Sequence, residues 1–361
     1  MRPLPTVATS LIMPPSMTKL QMIPLLILTA TAPAAQAPPG SSPVLSSEFI
    51  FETAPFPSSH ASTIVETAQG LVASWFGGTA ERNPDVGIWV SRQESGRWSA
   101  PVEVANGVQP DGKRHPCWNP VLFQPSNGPL LLFYKVGPSP SAWWGLVRTS
   151  TDFGRTWSSP IALPPGILGP IRAKPVELTP GVLLAGASTE NEGWVVHMER
   201  FSGAWTAEAL ASAASWQKTG PVNASNEFGA IQPTILVHSA TDLQILNRSQ
   251  QGVITEAWSK DGGRTWGRMT ATDLPNPSAG IDAVRLSNGR FLLVYNPTKK
   301  GRDKLQIASS PDGKAWTPGV MLEDSPGEYS YPAMIQTRDG RVHVTYTWKR
   351  RLIKHVVLQF P

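Results

Sequence analysis

At 361 residues, with 40% hydrophobic and 16% charged residues, the chain can bury a large core and is too apolar for a disordered polymer. A formal net charge of +5 is spread over scattered Lys and Arg, with Lys349-Arg350-Arg351 the one short cluster; this argues against nucleic acid and suits an anionic glycan. The single cysteine, Cys117, excludes an intramolecular disulfide, and the histidines show no zinc-ligand spacing, so neither metal nor other cofactor is expected.

In chain order, Met17-Thr18-Lys19 supplies a start and a positive charge, Leu20 to Ala30 is mostly apolar, and Ala35-Gln36-Ala37 has the small-x-small form of a cleavage site. Residues 1–37 therefore read as an extension plus signal peptide, 38–46 as a linker and 47–361 as the globular part of a secreted or periplasmic protein. The apolar run is too short to span a bilayer comfortably, and no later segment is a candidate span. Residues around Phe49–Phe56 are expected to give an outer strand that closes the fold against its last element.

A repeat begins beyond that strand. Its first unit opens at His60-Ala61, turns at Gln69-Gly70 and ends at Gly96-Arg97-Trp98. The second opens at Asn119-Pro120, turns at Asn127-Gly128 and ends in Ser150-Thr151-Asp152-Phe153-Gly154-Arg155-Thr156-Trp157. The third runs from Lys174-Pro175 through Pro180-Gly181 to Gly203-Ala204-Trp205. The fourth runs from Gln232-Pro233 through Asp242-Leu243 to Ser259-Lys260-Asp261-Gly262-Gly263-Arg264-Thr265-Trp266. The fifth opens at Asp282-Ala283, turns at Asn288-Gly289 and ends at Asp312-Gly313-Lys314-Ala315-Trp316; the sixth opens at Tyr331-Pro332 and turns at Asp339-Gly340. The five terminal tryptophans lie 59, 48, 61 and 50 residues apart, the period of a four-stranded blade. Asp accepts backbone hydrogens in a tight turn, Gly takes the positive φ, and Trp plugs the gap between sheets. Six copies predict an all-β, six-bladed β-propeller of four-stranded antiparallel blades. A closed ring leaves no sheet edge that needs a partner, so a monomer is expected. The polar residue opening each innermost strand should face the channel mouth.

The motif Ser-x-Asp-x-Gly-x-Thr-Trp resembles the Asp-box of sialidases, and the chain from about 47 to 361 is similar to the divergent BNR-repeat, sialidase-like branch of that superfamily. The resemblance implies a glycan site with three arginines for a substrate carboxylate, a tyrosine nucleophile with a glutamate partner, and an aspartate acid/base. Position by position it implies Arg248 and Arg302 for two of the arginines, Tyr331 or Tyr329 for the nucleophile, and Asp85 for the acid, with Glu81 as its alternative beside Arg82. His60 stands where the first arginine would be, and Gln232, which cannot take a proton, stands where the glutamate would be.

From the residues themselves, His60 is a candidate proton carrier, and Asp85 with Asp282 a candidate carboxylate pair. Lys174, Arg248 and Arg302 would bind an acidic sugar, Gln232 and Asn119 would add polar contacts, and Trp118 would stack on a sugar face. Glu190, Arg350, His115 and Lys135 are weaker rim candidates. The expected function is exo-acting hydrolysis of a terminal acidic or uronate-linked sugar from an extracellular glycan, strict sialidase activity being disfavoured by Gln232. The alternatives are a uronate-glycan lyase and a non-catalytic glycan-binding propeller.

Overall fold

The computed structural model describes residues 42–360 together with Met1, Pro3, Leu4 and Ser10. The signal peptide and its cleavage point lie outside the described residues. Residues 42–360 form six antiparallel sheets arranged as a propeller, with innermost strands Ser58–Thr67, Cys117–Phe123, Val176–Thr179, Ala230–Val237, Asp282–Arg285 and Tyr329–Gln336. In the first blade the outer position is shared by two short pieces, Arg97–Trp98 and Val102–Ala105.

The ring is closed by Val44–Phe49, which pairs antiparallel with Leu352–Leu358. That strand begins inside the stretch read as linker and ends at Phe49, where the sequence reading had it start. Pro55 and Pro57 cannot donate to a ladder, so the apolar run beyond Phe49 does other work. Ile50, Phe51 and Phe56 pack into the core, Phe51 stacked on the fully buried Trp75 at 4.9 Å.

The Asp-boxes behave as their chemistry predicts. Asp152 accepts from the backbone of Arg155 at 3.1 Å and Thr156 at 2.9 Å, and Ser150 Oγ receives the Gly154 N–H at 2.7 Å. Asp261 repeats the same bonds with Arg264 and Thr265. The Thr156 and Thr265 side chains and backbones hold both carboxyls well below the ordinary value. Each motif tryptophan packs in the seam toward the preceding blade: Trp98 between the first and sixth, Trp157 between first and second, Trp205, Trp266 and Trp316 in the next three seams. The seam between the fifth and sixth blades, where no Asp-box lies, is filled by Val44, Trp348 and Phe360 instead.

The closing strand is also held by a polar chain that runs from the exposed Glu48 to two buried histidines. Trp98 Nε1 donates to Glu48 at 3.1 Å, Glu48 meets His355 Nδ1 at 3.2 Å, and His355 Nε2 meets His343 Nδ1 at 2.9 Å. Burial pushes both imidazoles down to about 4, with the mutual charge and Arg341 adding to the effect on His343 and Asp339 opposing it. The unfolded chain takes up these protons near 6.5 and the folded chain only near 4, so their contribution is complete above the first value and is lost as pH falls toward the second. The thermal midpoint, followed by circular dichroism, should therefore drop across that interval. A flat midpoint there, or an unchanged slope in His343→Phe, would contradict this role.

Candidate functional site

The innermost strands do not enter the channel as plain extended chain. Ala61, Asn119, Arg172, Gln232 and Tyr331 all have positive φ, between 42° and 71°. Four of them sit at register shifts, between His60 and Thr63, Trp118 and Val121, Ile231 and Thr234, and Ser330 and Ala333. Arg172 is the centre of a γ-turn in which Ala173 N donates to Ile171 O at 2.8 Å. A residue in this conformation is strained by roughly 1–3 kcal/mol and re-aims its side chain, a device concentrated at functional sites.

The bends correct the sequence register in two blades. In the first, the equivalent of Asn119, Gln232 and Tyr331 is Ala61, with His60 one step earlier. In the third it is Arg172, two residues before Lys174. Arg172-Ala173 satisfies the same polar-then-small rule as Asp282-Ala283, but the proline that marks other openings stands two residues later, in Lys174-Pro175. Nothing in the sequence apart from that pair marked Arg172 for the site.

Arg172 completes a cluster. The guanidinium carbons of Arg172, Arg248 and Arg302 lie 5.6, 5.7 and 5.7 Å from the centre of the Tyr331 ring. Arg248 Nη1 donates to the Tyr331 hydroxyl at 2.6 Å and to Gln232 Oε1 at 3.4 Å, and Arg248 also covers the Trp194 ring at 5.0 Å. Ser278 orients two of the three, its hydroxyl accepting from Arg248 at 3.2 Å and its carbonyl from Arg302 at 3.2 Å. Arg172 is deepest. It donates to the Pro332 carbonyl, its Nε and Nη1 have no partner, and burial pushes it down to about 10, still charged at neutral pH. Gly280 leaves room for it: a Cβ there would stand 2.9 Å from Arg172 Nε and force the guanidinium to shift.

His60 is fully buried with its ring centre 4.1 Å from that of Tyr331. Its Nδ1 meets Thr347 Oγ1 at 2.9 Å, and its Nε2 has no partner. Burial first, then Arg350, Arg302, Arg172 and Arg248, hold it well below its ordinary value, so it is a neutral imidazole.

Glu328, Glu81 and Glu190 join the rim. Glu328 binds Arg302 at 3.1 Å and Arg350 at 2.9 Å, and Arg350 reaches on to Glu81 at 2.6 Å. Glu328 is partly buried, but Arg350, Ser330 and Arg302 hold it below the ordinary carboxylate value. Glu190 is the opposite case. Burial pushes it up, and the charges of Arg248 and Arg82 only partly offset that. Asp85 shares the 78–87 loop with Glu81 and Arg82 but is turned to its base, where Thr79 donates to it from backbone, at 2.7 Å, and hydroxyl. Burial opposes, yet the Thr79 bonds lower its pKa overall, which suits an anchored carboxylate better than a proton donor.

Other sequence candidates go elsewhere. Asp282 is held in a buried clasp instead: bound by Lys174 at 2.9 Å, Thr234 at 2.8 Å and Met334 N at 2.8 Å, it ties four blades together, and its charge also supports that of Arg172. Lys174 is spent in the same clasp. Tyr329 does not share the Tyr331 face, because the bend at Tyr331 breaks the alternation; its hydroxyl meets Ser325 at 2.7 Å and its ring packs on Trp348. Trp118 is 2% exposed, donates to Gly137 O at 2.9 Å and packs against Phe76 and Trp143, so it offers no face to a sugar. Lys135 is buried on the Pro170 carbonyl at 2.9 Å, and His115 lies edge-on to Trp144. Asn119 occupies the bend of the second blade.

Similarity to known proteins agrees with this ring. A search of curated proteins finds no match. Among solved structures, a protein of unknown function from Dyadobacter fermentans superposes with a TM-score of 0.71 at 17% identity, covering 88% of this chain and 99% of its own. A Hadza microbial sialidase gives 0.69 at 17% identity, with 84% and 66% covered. The NanB sialidase from Streptococcus pneumoniae gives 0.69 at 12% identity, with 89% and 71% covered. At such identities the likeness is one of fold. The BNR repeat-like domain matches residues 69–344, most of the ring, and the chain belongs to that family of sialidase-like propellers.

Proposed function

We propose that this protein is an exo-acting glycoside hydrolase of an exported compartment, removing a terminal acidic sugar from an extracellular glycan. The observation that carries this is the packing of Arg172, Arg248 and Arg302 around Tyr331, an arrangement that concentrates positive charge on one phenol. Arg248 and Arg302, the two less buried of the three, would take the sugar carboxylate. Guanidinium forks suit that role because they meet a carboxylate through two parallel hydrogen bonds. Tyr331 oxygen would attack the anomeric carbon as the glycosidic C–O bond breaks, its negative charge supported by Arg248 at 2.6 Å. Gln232 cannot accept the phenol proton; of the groups packed on the Tyr331 ring, neutral His60 with its unpartnered Nε2 would take it, though burial and the four arginines that lower its pKa make it a weak base. The leaving oxygen needs a proton, and Glu190, with its raised pKa, is better suited to give it than Asp85. Water would then release the sugar from tyrosine, with Glu190 acting as base and the phenol recovering its proton.

A donor must be protonated, so turnover should fall as pH rises past the raised value of Glu190. In Glu190→Gln we expect kcat about 10²–10⁴-fold lower and that descending limb removed. A normal profile in Glu190→Gln would return the acid role to Asp85 or Glu81.

The pairing of a neutral His60 with Tyr331 also fits a uronate lyase, in which these two would move the protons of an elimination and arginine would neutralise the carboxylate. A screen of acidic glycans with mass detection separates the two. Addition of water marks a hydrolase, an unsaturated product absorbing in the ultraviolet marks a lyase, and binding without product leaves a lectin-like propeller.

A further inference from the structure

Outside the mouth, two depressions lie on the same end of the propeller over the second, third and fourth blades. One of about 400 Å³ is walled by Trp143, Trp144, Pro164 and Ile167; the other, of about 570 Å³, runs past Pro221 and Ser225. Both are lined by Thr189, Asn191 and Lys218, so they adjoin along those residues as two halves of one grooved surface, and each lies within the roughly 300–1,000 Å³ of small-molecule sites. Glu190 links the groove to the mouth: its chain neighbours Thr189 and Asn191 line the groove, Ser141 Oγ donates to its carbonyl at 3.3 Å, and its carboxyl lies within the field of Arg248.

We propose that this groove is a subsite for the neutral, internal sugars of an oligosaccharide, which would lead outward from Glu190. It extends the function proposed above, because the occupant would be the remainder of the same glycan. The groove differs from the mouth in charge. Its lining carries one ammonium, Lys218, and one carboxylate, Glu192, where the mouth carries a cluster of arginines. An anionic chain has nothing to gain there, whereas a neutral one finds rings, amides and hydroxyls. The aromatic wall is already set: Trp143 is braced edge-on by Trp118 at 5.9 Å and Trp144 by His115 at 5.7 Å. Little side-chain freedom would therefore be lost when a sugar ring packs against it. Thr189, Asn191 and Ser225 supply donors and acceptors along its length.

The test is calorimetric titration with neutral tetrasaccharides (cellotetraose, xylotetraose, maltotetraose and lacto-N-tetraose). At least one should bind the wild-type protein, Trp143→Ala should weaken it tenfold or more, and Trp143→Phe should restore most of the affinity. Arg248→Ala should leave it within twofold. Thermal midpoints of all variants exclude loss by unfolding. The proposal is overturned if none of the four binds, or if Arg248→Ala weakens binding as much as Trp143→Ala, which would put the sugar in the mouth. Should the neutral chain bind while no acidic glycan is turned over, the subsite stands and the hydrolase reading falls.

Discussion

Tyr331→Phe is expected to lose at least about a thousandfold in kcat on any acidic glycan the wild-type protein cleaves, while KM shifts by less than about tenfold. The change removes one oxygen atom and leaves the ring, which is what Arg172, Arg302 and His60 pack against. The three cations stay in place and still meet the sugar carboxylate, so ground-state binding survives. What disappears is the atom that would bond the anomeric carbon, together with the 2.6 Å contact by which Arg248 supports its charge. Steady-state kinetics with product detection by mass distinguishes the cases. A Phe variant with near-normal kcat would remove tyrosine from the chemistry and leave the mouth as a binding site.

Asp282→Ala is expected to act mainly on the other quantity, lowering stability by about 3–5 kcal/mol, with turnover per folded molecule falling far less than in Tyr331→Phe. Asp282 is 1% exposed, and its carboxylate holds the Lys174 ammonium, the Thr234 hydroxyl and the Met334 N–H. Those groups come from the third, fourth and sixth blades, so removing the acceptor leaves donors from three sheets facing one buried gap. Asp282→Asn, which keeps the shape and one acceptor, should fall between Ala and wild type. Denaturant titration gives the free energies. A stable Asp282→Ala protein with collapsed kcat would restore this residue to the reaction.

These two residues show where reading the sequence succeeds and where it stops. Asp282 and Tyr331 open equivalent repeats and look alike as polar residues before a small one or a proline. The strand of Asp282 pairs regularly with Phe291–Tyr295, whereas Tyr331 stands on a bend with φ of 51°. That difference decides whether a side chain clasps the channel wall or faces its mouth, and it is set by backbone geometry that the residue types do not announce. The tryptophan plugs were readable because a turn at blade spacing keeps its Gly and Trp even where Ser and Asp have decayed, and the blade count because a polar residue before Pro or Ala opens six units. Arg172 was hidden by the neighbouring Lys174-Pro175, and the Glu328–Arg350–Glu81 chain by its assembly from three loops far apart in sequence. The anchoring of Asp85 was not readable for a local reason: its partner, Thr79, is a loop residue six positions away that no motif marks.

The recognition of a carboxylate by the arginines around Tyr331 is best tested by comparing an acidic sugar with its own methyl ester. Binding of N-acetylneuraminic acid and glucuronic acid, each against its ester, should favour the acid by about tenfold or more, the scale of one charge-assisted pair. That preference should vanish in Arg302→Ala. Equal affinity for acid and ester in the wild-type protein, or a preference that survives the loss of Arg302, would contradict it.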